Sequence, residues 1–188
     1  MVAILRLAAV ALIAAAAPPA AAMADDATGF GVDPAPPYKA ERSSHPQHDV
    51  IFAVDSTTGT PAIAGRNPHL CGAGLKKMPT YAGHSQAEVN GVLDDKVWRD
   101  QARALVAANG TITSETEFKL HEARGIEFVF YPKSGPGADN VATMLSIVET
   151  PNGRVSLVCG TTRAELEQTL ASFRAIRSTI TLPTRGAP

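Results

Sequence analysis

The tetrapeptide Thr150-Pro151-Asn152-Gly153 constrains this chain more than any other segment. It separates two apolar-rich stretches, Val141–Glu149 and Arg154–Cys159, and Asn-Gly accepts the positive φ that a tight hairpin needs. The flanking segments must therefore be antiparallel neighbours. Just upstream, Ile126, Phe128 and Phe130 alternate with Glu127, Val129 and Tyr131, the period of two that marks a strand. Phe118 and Leu120 precede it across a predicted turn at Glu122-Ala123-Arg124-Gly125, and Val50–Val54 reads as an earlier strand. Strands joined by tight turns, not by crossover helices, make an antiparallel meander and disfavour a doubly wound parallel sheet.

Two segments carry helical periodicity. Ser85-x-x-Glu88 has capping-box spacing, followed by Val89, Val92 and Leu93. Asp94 or Asp95 can restart a turn that puts Trp98, Ala102 and Leu105 on one face. Asn109-Gly110 should end it with a left-handed cap, so one kinked helix or two short ones span about 86–108. Thr162-Arg163-Ala164-Glu165 is a second capping box, opening a helix with Leu166, Leu170, Phe173 and Ile176 as its stripe. Thr179–Leu182 is a short closing segment, and Lys133–Asn140 a surface loop. The expected architecture is α+β: an antiparallel meander packed against two or three helices as a two-layer sandwich. In it, Val50–Tyr81 folds over the sheet face bearing Val129 and Tyr131.

The N-terminal end reads differently. Arg6, an apolar run over Leu7–Ala17, the break at Pro18-Pro19 and Ala22-Met23-Ala24 form the pattern of a secretory signal peptide over Met1–Ala24. The apolar run is about 11 residues, short of the roughly 20 that cross a bilayer, so no membrane anchor is expected. Cleavage after Ala24 would release the protein to the periplasm or the medium. Residues 25–47, with Pro34, Pro36, Pro37 and Pro46, should be an extended arm and not helix or sheet, leaving 48–184 as one domain. Ser56–Tyr81 has no clear period, although Ala62-Ile63-Ala64 could be a short strand returning from Thr58-Gly59-Thr60. The formal charge of −1 becomes −2 once Arg6 is removed, with no basic stripe, so nucleic acid is a poor partner.

Cys71 and Cys159 are the two cysteines, and in an exported protein they should pair. His45 and His48 have His-x-x-His spacing and His69 lies two before Cys71, which makes these three weak metal-ligand candidates. Gly83-His84-Ser85-Gln86-Ala87 is a degenerate nucleophile elbow, yet Ser85 already has a job as a helix cap. Asp94-Asp95, and Glu115 and Glu117, which would share a strand face, are candidate paired acids, but surface acids of this kind are usually solvated. None of these patterns names a catalytic residue or a cofactor.

Met144–Val148, the turn at Pro151-Asn152-Gly153, Val155–Val158 and the Ala171-Ser172-Phe173-Arg174-Ala175-Ile176 helix resemble the Mog1/PsbP-like fold family. The resemblance covers about Glu117–Leu182. It implies a curved antiparallel sheet with helices on its faces, and a family dominated by assembly factors and binding partners with few enzymes. It carries over no functional residue. The expected role is a non-catalytic binding or accessory protein of the bacterial cell envelope, with a protein partner and the sheet face or Lys133–Asn140 as contact surface. A small-molecule or metal carrier is the alternative and predicts a polar-rimmed apolar pocket or clustered histidines. A hydrolase using Ser85 is the second alternative.

Overall fold

The computed structural model describes residues 23–65 and 67–184. The predicted leader lies outside the described residues except for its last two. These form β1 (Met23–Ala24), which pairs with β2 (Gly31–Val32). β3 (Tyr38–Ser43), β4 (Val50–Ser56) and β5 (Cys71–Lys77) precede the helices α1 (Gln86–Asn90) and α2 (Lys96–Asn109). The meander follows as β6 (Gly110–Leu120), β7 (Ala123–Pro132), β8 (Val141–Thr150) and β9 (Gly153–Thr162). α3 (Leu166–Ser178) and β10 (Ile180–Thr181) close the chain. Seven strands make one antiparallel sheet in the order β3-β4-β5-β9-β8-β7-β6, and β1-β2-β10 make a small second one.

The fold is an α+β sandwich, with its helices divided between the two faces of the large sheet. On one face, Ile126, Phe128 and Ile147 are buried against Val106, Trp98 and Ala102 of α2. On the other, Val129, Met144, Leu157, Phe52 and Leu75 join Phe173 and Ile176 of α3, with Phe30, Val32 and Ile180 of the small sheet. Strand side chains alternate between faces, so this division follows from the period-two pattern itself. Val129 thus lies in the core that the sheet shares with α3 and the small sheet. Val50–Tyr81 does not fold over it but supplies β4 and β5, correcting the expected cover.

Other local expectations are also corrected. Residues 38–43 are an edge strand, not a free arm: the prolines flank Tyr38–Ser43 and none interrupts it. Ala62–Ala64 is not a strand, and β5 is one despite two glycines, because it is paired on both sides. Gly110 is extended, at φ −160, and begins β6; a Cβ there would overlap the Phe130 ring. The β6–β7 turn falls at His121-Glu122, with His121 at φ 54. Ser85 and Glu88 form the full capping box of α1, whereas Thr162 stays in β9 and α3 starts at Leu166 without a side-chain cap.

A buried carboxylate fixes α3 to the sheet. Glu127, 2% exposed in its side chain, accepts from Arg174 at 2.7 Å and also from Arg177, which stacks over Phe118. Removing either arginine would leave a buried charge short of partners, so this cluster is structural.

Candidate binding groove

The sheet face that carries α2 is covered unevenly. α1 and α2 pack on β6, β7 and β8, and among the described residues no helix lies over the β4–β5–β9 part of that face. There Ile51 and Ala53 of β4, Gly72 of β5 and Val158 of β9 form an apolar floor. One wall is the segment 43–48 that leads from β3 to β4, carrying His45 and His48. The other is Asn67-Pro68-His69, which leads into β5. Together they enclose about 480 Å³, within the range of small-molecule pockets. From the opposite face, the disulfide between Cys71 and Cys159, directly paired residues of β5 and β9, ties the two floor strands together.

Each histidine of the groove is held by a different contact. His69 Nδ1 lies 2.6 Å from Asp55 Oδ2, while Asp55 Oδ1 accepts the Leu70 N–H at 2.9 Å. In the neutral ring the proton then sits on Nδ1, and Nε2 is left as an acceptor. His45 has the reverse polarity: its Nδ1 accepts the Gln47 N–H at 3.3 Å, so its Nε2 is the donor. His48 lays its ring over Gly74, where a Cβ would overlap it, with Nε2 3.2 Å from Ser156 Oγ. Its Nδ1 is buried with no hydrogen-bond partner. Burial holds this imidazole below the ordinary histidine range, and the nearby His45 and Lys76 act in the same direction. His48 is therefore neutral at neutral pH.

The three weak metal candidates, His45, His48 and His69, thus line one groove. They do not converge: among the described residues no three His, Cys, Asp or Glu side chains are placed to hold one ion. Ser85 lies elsewhere, accepting the Glu88 N–H at 3.3 Å and donating to Glu88 Oε2 at 2.8 Å, the helix-capping job its spacing predicted. Glu115 is paired with Arg103, and Glu117 joins Arg99 to Arg124. The Arg99 and Arg124 hydrogen bonds hold the Glu117 carboxyl below its usual range. Asp94 pairs with Arg124, and Asp95 caps α2 through the Val97 N–H.

A larger hollow of about 670 Å³ lies at the far end, between the β8–β9 turn and the C-terminal segment. Two of its polar side chains are spent on backbone: His121 Nε2 is 3.0 Å from Ile180 O, and Asn152 Nδ2 donates to Pro183 O at 3.0 Å. They pin the C-terminal segment in place.

Sequence reasoning passed over Asp55, Asn67, Gly72 and Ser156. Asp55 meets His69 only because β4 and β5 pair, across a loop with no regular spacing. Gly72 and Gly74 did carry a signal: glycines two apart on a strand strip one face of side chains.

No family model matches the chain, and no curated protein matches it. Among solved structures it is similar to the solution structure of cyanobacterial PsbP (CyanoP) from Synechocystis sp. PCC 6803. The identity is 8% and the TM-score 0.53, with 92% of this chain and 98% of that one covered. The likeness spans nearly all of both chains, far beyond the C-terminal third that carries the sequence resemblance. The fold of this protein is PsbP-like.

Proposed function

We propose that this protein is an exported binding or accessory protein of the bacterial cell envelope, and that it acts without catalysis through the groove over β4, β5 and β9. The observation that carries this reading is the uneven cover of the sheet. Helices and the small sheet bury the rest of its core, while the floor of Ile51, Gly72 and Val158 is left between two polar walls. A polar-rimmed apolar cleft with clustered histidines is also what the carrier alternative predicts. Small-molecule binding is therefore the favoured form of this role, ahead of a metal site or a protein contact at Lys133–Asn140. Export rests on the leader pattern of Met1–Ala24 and on the cysteine pair.

The test is cell fractionation of the tagged full-length protein in its own host, with the intact mass of the recovered chain. A periplasmic or extracellular product lacking its leader is expected, with a deficit of about 2 Da for the disulfide. Cleavage after Ala24 would remove β1 and leave Asp25 first, its N–H already bonded to Phe30 O at 2.8 Å. An unprocessed cytoplasmic protein would overturn the reading.

A further inference from the structure

Glycine within a strand weakens it and calls for a reason: a bulge, a tight neighbour, or a ligand's close approach. The large sheet gives such a reason at nearly every one of its strand glycines. A Cβ at Gly74 would overlap His48, one at Gly110 would overlap Phe130, and one at Gly125 would overlap Phe118. Gly153 has φ +132, and a Cβ at Gly160 would press on Ala64 O at 3.0 Å. Gly72 is the exception. Its φ is ordinary, and among the described residues a Cβ there would meet only Ile51 Cδ1, at a comfortable 3.5 Å. The fold does not need glycine at 72, yet glycine stands there, at the centre of the groove floor.

The chemistry of the lining narrows what would approach it. Among the described residues, no Asp, Glu, Lys or Arg lines the groove. The floor is aliphatic and flattened at Gly72. Where the rings are neutral, the rim offers hydrogen-bonding groups of opposite sense: Nε2 of His69 accepts, because Nδ1 donates its proton to Asp55, and Nε2 of His45 donates. An ion would lose its hydration here without gaining a counter-charge from those side chains. A flat apolar body would lie against Gly72, Ile51 and Val158, and a hydroxyl or N–H on its edge would be received by His69.

Resting on the binding role proposed above, we infer that the groove over Gly72 is a binding site for a small, uncharged, planar and mainly apolar molecule bearing a hydrogen-bond donor that His69 Nε2 accepts.

The probes are 2-naphthol, 2-methoxynaphthalene, which lacks the donor, and naphthalene-2-sulfonate, which adds a charge. Each is titrated into the mature protein at pH 7 and followed by backbone amide NMR. The expected result is binding of 2-naphthol with shifts at Gly72 and Val158, and affinity about tenfold weaker for the other two probes. His69→Phe should erase the preference for 2-naphthol over its methyl ether while keeping the apolar contact. Gly72→Val should abolish binding of both while the spectrum stays folded. Shifts elsewhere, equal or tighter binding of the sulfonate, or undiminished binding by Gly72→Val would each overturn the assignment. These outcomes are independent of fractionation: an exported protein that ignores all three probes keeps its envelope role and loses this site.

Discussion

The two halves of one sheet face are built from different residues. Under α2 the strands present Ile126, Phe128 and Ile147, all buried, with Phe130 and Leu145 packed beside them. On the adjoining strands β9, β5 and β4, the same face presents Val158, Gly72, Ala53 and Ile51. Both halves belong to one continuous sheet and share its twist and spacing. They differ in the side-chain volume they offer a helix, large under α2 and small at Ala53 and Gly72. The covered half fills the space beneath α2. The bare half would leave a helix standing over a void, and voids in an interior forfeit dispersion contacts with nothing in return. Stability is concentrated in the covered half, and room is kept in the bare one.

The largest test of that division acts on the seam. The 88-residue separation of Cys71 and Cys159 implies about 4–5 kcal/mol of stabilisation in the chain-entropy account. The Cys71→Ser/Cys159→Ser double variant should lose most of that in urea denaturation, because the packing of Ala73 and Leu75 against β9 and the ladder hydrogen bonds do not restrict the unfolded chain as the crosslink does. An unchanged midpoint would mean the two halves are bound by packing alone. Phe128→Ala, in the covered half, should cost about 3–4 kcal/mol, since Phe128 is fully buried against α2. It should leave the groove's contacts intact. A loss of naphthol binding in a folded Phe128→Ala protein would show that the halves are coupled.

A smaller effect reads the edge of the covered half through pH. Glu117 bridges Arg99 of α2 and Arg124 of β7, and the two hydrogen bonds lower its carboxyl pKa. A carboxylate depressed by folding contributes stability above its unfolded pKa, near 4.3, and loses it as pH falls through the lower folded value. The wild type should therefore lose more stability between about pH 5 and pH 3 than Glu117→Gln does. The pair is well exposed, so the difference will be small and will shrink further in salt. Parallel acid limbs would show that the Glu117 bridge contributes nothing to holding α2, leaving its apolar stripe and the Arg103–Glu115 pair.

Legibility in the sequence followed the same division. Where the chain is locally consistent, it could be read: the Asn152-Gly153 hairpin, the Phe128/Phe130 alternation, the Ser85–Glu88 capping box, the Phe173 helix. Residues 38–43 and Cys71–Lys77 could not, because Glu41, Arg42 and the glycines of Cys71-Gly72-Ala73-Gly74 have weak strand preference and become strands through their partners. The groove suffered the same loss. His45, His48 and His69 stood out as imidazoles, but their spacing held no hint of a shared cavity. Asp55 and Ser156 reach two of them across 14 and 108 residues. Contacts of that kind are set by sheet order, which local pattern does not encode.

The last test reverses the sign. In a covered half, enlarging a side chain overpacks and destabilises by about 1–3 kcal/mol. At Gly72 the sheet should respond the other way. The position is extended, its φ is open to any residue, and among the described residues a Cβ meets only Ile51 at 3.5 Å. Valine prefers strands and restricts the unfolded chain, whereas glycine has the most freedom to lose on folding. Gly72→Val should therefore raise stability by about 0.5 kcal/mol, read as a higher urea midpoint at constant slope. A folded, slightly more stable protein whose groove is filled would separate the requirements of the fold from those of the site at a single residue. Destabilisation instead would mean that the space above Gly72 is needed by the fold, and the contrast between the two halves would fail at its centre.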